Sequence, residues 1–65
     1  MRVIINGSER ETNANNVAEL VESLGMKADR VAVELNLEIV SRTKWVEAGL
    51  KDGDKLEIVH FVGGG

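Results

Sequence analysis

The sequence predicts an α+β domain: a mixed five-stranded sheet with one main helix packed on one face. Three stretches carry that expectation. Asn6-Gly7 punctuates the opening residues like the turn of a hairpin. Val17, Leu20, Val21 and Leu24 recur at i, i+3, i+4 and i+7, one stripe of a helix. "KLEIVHFV" near the end alternates with the period of a strand. A hairpin, a helix and three further strands bury one core when the helix lies across one face of the sheet.

Each element has its own local reason. "RVIIN" is short and β-branched, and "NG" after it supplies two residues that accept positive φ. The returning strand is expected from Ser8 to Asn13. In "NNVAELVESLG", Asn16 is the natural N-cap, Glu19 stands three residues on as in a capping box, and Gly25 gives the left-handed stop. In "RVAVELNLEIVS", Val31, Val33 and Leu35 alternate with Ala32 and Glu34, and Asn36-Leu37 reads as a second tight turn into "EIVS". A left-handed leucine costs about 1–2 kcal/mol, which a longer or differently shaped loop would avoid. Arg42 to Asp54 shows no strand pattern. "TKWVEAGL" accommodates a short helix ending at Gly49, "KDGD" is a turn, and Trp45 and Leu50 are expected to pin the segment to the core. In the last strand Leu56, Ile58, His60 and Val62 share one face; Lys55, Glu57, Val59 and Phe61 share the other.

Composition narrows the function. A chain of 65 residues is one domain near the lower limit for independent folding, with a core worth on the order of 3–5 kcal/mol. So small a core rarely encloses a deep catalytic pocket. The chain has no cysteine, hence no disulfide frame and no thiol chemistry. "MRVII" is too short for the apolar core of a signal peptide, and no run approaches membrane-spanning length, so cytoplasm is the expected compartment. Eight basic against eleven acidic residues give a net charge of -3, and Trp45 and Phe61 are the only aromatics. Neither the charge nor the aromatics suit a nucleic-acid surface.

The search for catalytic side chains returns little. His60 is the single histidine, and without cysteines no cluster has metal-ligand spacing. Asp52-Gly53-Asp54 lacks the remaining ligands of a calcium loop and reads as a turn with Gly53 at the special dihedral. The hydroxyls of Ser8, Thr12, Ser23, Ser41 and Thr43 have no base to activate them apart from His60. Two features remain. Val59 and Phe61, with Ile4 and Ala32, form either an apolar patch on the helix-free face or scattered surface hydrophobes. Gly63-Gly64-Gly65 is either a disordered end or a thin tail able to enter a narrow channel and present one carboxylate.

Taken together, the strand-NG-strand start, the capped helix, "VAVELN" followed by "EIV", and above all "KDGDKLEIVHFVGGG" resemble the ThiS family of sulfur carrier proteins over essentially all of the chain. The resemblance implies a ubiquitin-like β-grasp over residues 1–62 and a flexible tail at 63–65. It implies no catalytic residue, no metal site and no permanently bound cofactor. The working group would be the carboxylate of Gly65, with Gly63 and Gly64 leading to it. An adenylating partner, ThiF, would use ATP and magnesium to activate that carboxylate, a sulfur donor system would convert it to a thiocarboxylate, and thiazole synthase, ThiG, would receive the sulfur. Val59, Phe61 and Ile4 are the expected docking residues for these partners. Related roles are a carrier of the MoaD type for molybdopterin synthesis and a ubiquitin-like modifier or interaction module. The family commonly has Asn-Gly where this chain has Asn36-Leu37, a departure far along the chain from Gly65.

Overall fold

The computed structural model describes residues 1–61. Arg2–Ile5 (β1) and Ser8–Glu11 (β2) pair antiparallel from Ile5↔Ser8 to Arg2↔Glu11. The turn between them holds Asn6 and Gly7 at φ 49° and 85°, as the Asn-Gly pair requires. The strand β2 is shorter than the expected Ser8–Asn13. Thr12 still donates its N–H to Met1 O, but its hydroxyl accepts from Ala14 N–H at 3.0 Å, a local turn that leads the chain off the sheet.

Val17–Ser23 forms the helix α1, shut at both ends. Asn16 Oδ1 accepts from Glu19 N–H at 2.8 Å, so the expected N-cap is in place. The reciprocal bond lands one residue early: Glu19 Oε1 accepts from Asn15 N–H rather than from Asn16. The helix's first two N–H groups, those of Val17 and Ala18, donate to Ala48 O and Trp45 O. At the other end Gly25 sits at φ 75°, its N–H bonds Glu22 O, and Met26 N–H bonds Val21 O. These are the two bonds of a Schellman motif.

After a 3₁₀ turn at Ala28–Arg30, Val31–Leu35 (β3) and Glu38–Val40 (β4) form the second hairpin, with Leu35 opposite Glu38. The connection is two residues long after all. Asn36 and Leu37 take φ 51° and 74°, a type I′ geometry that Leu37 adopts despite its Cβ. Arg42–Lys44 is a 3₁₀ turn, and Glu47 and Ala48 continue its hydrogen bonding to Lys44 O. The segment ends at Gly49, which bridges Asn16. Trp45 is 3% exposed and donates Nε1–H to Val40 O at 2.9 Å, and Leu50 packs half-buried against the same core. Asp52-Gly53-Asp54 is the expected turn, with Gly53 at φ 89° and Asp52 Oδ1 accepting from Arg2 N–H.

The last strand, Lys55–His60 (β5), completes a sheet of order β2-β1-β5-β3-β4. It runs parallel to β1 and antiparallel to β3, in the register Val31↔His60 through Leu35↔Leu56. Val3, Ile5, Val31, Val33, Leu56 and Ile58 point to one face, and Val17, Leu20 and Val21 of α1 cover them. One clamp secures the centre. Asn6 Nδ2 donates to Ile58 O at 3.1 Å, and Asn6 Oδ1 accepts from Ile58 N–H at 2.8 Å. The side chain thus stands in for one more residue of β1.

Asn6→Ala removes both bonds and leaves a half-buried peptide group of Ile58 unpaired. Urea unfolding should show a loss of about 2–3 kcal/mol, large for so small a domain, with an unchanged m value. A loss below about 0.5 kcal/mol would show that water replaces the clamp at no cost.

Candidate functional site

The site to be built is the end of β5 and the face that leads to it. Residues 55, 57 and 59 aim their peptide groups at β3, as Asn36 N–H bonding Lys55 O and the register Val59↔Ala32 show. Phe61 continues the alternation: its N–H donates to Arg30 O at 2.8 Å. The chain is therefore held to the β3 side by one further bond past the end of β5 at His60. Residues 56 and 58 aim the other way. Leu56 O accepts from Asn6 N–H, and Ile58 is clamped by the Asn6 side chain. There β1 ends, so β5 overhangs it by Val59 and His60.

His60 is the last residue of β5 and has the parity of Leu56 and Ile58, but it is exposed, because no strand lies beside it on the β1 side. Among the described residues no group of three or more His, Asp or Glu side chains could hold a metal ion. Asp52 and Asp54 are occupied in turn geometry: Asp54 accepts from Lys51 N–H and from Asn36 Nδ2.

The outward face of the sheet gathers part of the predicted patch. Val59 lies directly opposite Ala32, is 58% exposed, and is followed on the same face by Phe61 at 49%. Ile4 has the same parity but pairs with Lys55. Four residues separate Lys55 from Val59, about 13 Å along the strand at ~3.3 Å each. Val59, Phe61 and Ala32 are therefore one cluster, with Ile4 apart from it on the same face. Arg2, Glu9 and Glu11 fill the margin beyond Ile4 with exposed ion pairs of 2.7 and 3.6 Å, which add little stability. Val62, Gly63, Gly64 and Gly65, with the predicted working group, lie outside the described residues.

Two features escaped the sequence reading. Asn6 was legible only as a turn residue, since its second partner is 52 positions away. Leu37 and Ile39, 90% and 79% exposed, add apolar surface at the far end of the same side of the sheet. The signal for them was the leucine in a turn that demands positive φ.

A hairpin, a helix and a closing strand parallel to the first define the ubiquitin-like β-grasp class. Comparison with known proteins narrows the class. The model of the ThiS family matches residues 3–65. The sulfur carrier protein ThiS of Bacillus subtilis is 40% identical over 53 residues, covering 82% of this chain and 80% of that protein. A crystal structure of the thiamine biosynthesis protein ThiS from Geobacter metallireducens superposes with a TM-score of 0.85 at 36% identity, covering both chains fully. The chain belongs to the ThiS family. A thiazole synthase of Paramagnetospirillum magneticum is 48% identical over 66 residues; the match takes in the whole of this chain, which spans one fifth of that relative's length.

Exposure separates the site from the core. Phe61→Ser should change unfolding free energy by less than about 1 kcal/mol, whereas Trp45→Ala should cost about 3–5 kcal/mol. Thermal unfolding followed by circular dichroism compares the two directly. Equal losses would place Phe61 in the fold and not on an interface.

Proposed function

We propose that this chain carries sulfur, as a thiocarboxylate on the carboxylate of Gly65, for assembly of the thiazole of thiamine. One observation carries the proposal: the family match spans residues 3–65 and so takes in the glycine run and Gly65. The names of the relatives favour the thiazole over other destinations for the sulfur, since both sulfur carriers and thiazole synthases are among them.

The chemistry asks little of the folded part. A carboxylate cannot expel oxide, so it needs activation. An adenylating partner with ATP and magnesium would form the acyl adenylate at Gly65 and release pyrophosphate. A sulfur nucleophile from the donor system then displaces AMP and leaves the thiocarboxylate. Transfer of that sulfur to the thiazole synthase returns the carboxylate, and the carrier is used again. No side chain of this chain acts as acid, base or nucleophile in these steps. Glycines fit the role because a Cβ would obstruct a narrow channel, and ordering them costs about 1–2 kcal/mol per residue. That cost has to be met by docking elsewhere. The exposure of Val59 and Phe61 supports a docking role for them, with Ile4 further away on the same face.

The test is incubation with an adenylating enzyme, ATP, magnesium and a sulfur source. The reaction is then trapped with an alkylating reagent selective for thiocarboxylates. Exchange of oxygen for sulfur adds nearly the mass of an oxidised Met1 or Met26, so the adduct must be localised to the terminal peptide. An adduct on Gly65 that disappears when Gly65 is deleted is the expected result. No adduct with an enzyme shown to be active on another carrier would refute the proposal, and a ladder of conjugates to lysines would point to a modifier instead. Phe61→Asp should slow adenylation about tenfold or more, by desolvating a charge at the contact; an unchanged rate removes Phe61 from the docking surface.

A further inference from the structure

We propose that the far end of the outward sheet face, framed by Glu34, Leu37, Ile39 and Glu57, is a second anchor that takes an arginine or lysine of the sulfur-accepting partner beside an apolar side chain. The proposal rests on the carrier reading above and extends it to a surface that tail chemistry alone does not need.

Three observations meet in this place. First, Leu37 is held at φ 74° and is 90% exposed. The left-handed conformation costs a residue with a Cβ about 1–2 kcal/mol, and at this exposure burial in the fold returns almost nothing. Second, Ile39 is 79% exposed and stands opposite Glu34 on the outward face, next to that turn. Third, Glu34 lies directly opposite Glu57 across β3 and β5. Like charges so placed oppose each other, and cross-strand pairs stand about 5 Å apart. Among the described residues neither carboxylate forms an ion pair, and Lys55, which shares their face, bonds neither of them. Glu34, Asn36, Leu37, Lys55 and Glu57 line a cleft of about 260 Å³, room for one side chain.

The strained Leu37 and the opposed Glu34 and Glu57 work against the stability of the free domain and line this cleft, and Ile39 stands beside it, opposite Glu34. A partner would relieve the repulsion and the apolar exposure. A guanidinium between Glu34 and Glu57 would satisfy both carboxylates in planar, charge-assisted bonds. An apolar neighbour of that cation would cover Leu37 and Ile39. The cleft also joins the first docking cluster without a break: Glu57 is followed on its face by Val59, and Glu34 is preceded on its face by Ala32. The occupant is assigned to the sulfur-accepting partner because the thiazole synthase relative already holds a segment matching this whole chain in its own polypeptide.

Calorimetric titration of the full chain with a purified thiazole synthase, at low and high salt, tests the proposal. Leu37→Gly should raise Tm by about 4–8 °C, since it removes the strain. The same substitution should weaken binding about tenfold. The double variant Glu34→Gln, Glu57→Gln should fold at least as stably as the parent and lose most of the salt dependence of binding. Unchanged affinity and salt dependence in both variants overturns the anchor and leaves the carrier reading intact. Slower adenylation with intact synthase binding also overturns it, by assigning the cleft to the other partner. Failure of the parent chain to bind the synthase at all overturns the carrier reading on which the anchor rests.

Discussion

The parallel pairing of β1 with β5 joins the two ends of the chain, and the rest of the domain depends on it. Ile4 N–H bonds Asp54 O at 2.8 Å, Asn6 N–H bonds Leu56 O at 2.9 Å, and the Asn6 side chain holds both polar groups of the Ile58 peptide. Closing so long a loop costs little more than closing one half as long, because the entropy grows only logarithmically. In return Val3 and Ile5 come beside Leu56 and Ile58, giving α1 a continuous apolar floor. The hairpin of β3 and β4 joins the free edge of β5, leaving β2 and β4 as the two edge strands of the five-stranded order.

The same pairing gives β5 its two roles. Its middle is the centre of the sheet, with Leu56 and Ile58 buried. Its end overhangs β1 and is steadied on one side only, by the bond from Phe61 N–H to Arg30 O. The segment from Arg42 to Asp54 serves this arrangement from the other side. Its carbonyls at Trp45 and Ala48 satisfy the first N–H groups of α1, and Trp45 seals the core beneath. A short helix is marginal by itself and gains its stability from such packing.

Exposure is unevenly divided between the faces. Of the large exposed hydrophobics, Ile39, Val59 and Phe61 lie on the outward parity of the sheet and Leu37 in the turn at its margin. Exposed apolar side chains gathered on one face mark interaction sites more often than scattered ones do. The domain presents this surface while its core supplies only a few kcal/mol, on the order of 3–5. The result is a domain that spends strain at Leu37 and repulsion at Glu34 and Glu57 on its outer face and keeps its inner face orthodox.

By itself the sequence determined what depends on near neighbours. Val17, Leu20 and Val21 marked the buried stripe of α1, Asn16 and Gly25 its ends, and Asn6-Gly7 the first hairpin, because backbone period and capping act within four or five residues. The glycine run and the last strand carried the resemblance to the family, a likeness of sequence and not a product of backbone period. What joins distant residues was decided only in the tertiary structure. Asn6 clamps Ile58, His60 is left bare where β1 stops, and Ile4 stands apart from Val59, all consequences of the β1–β5 register. Leu37 keeps its left-handed turn because pairing on both sides of it, Leu35 with Glu38 and Leu35 with Leu56, fixes the hairpin length whatever the turn residue prefers. Local preference is worth a kcal/mol or so per residue, roughly, and a cooperative sheet outweighs it.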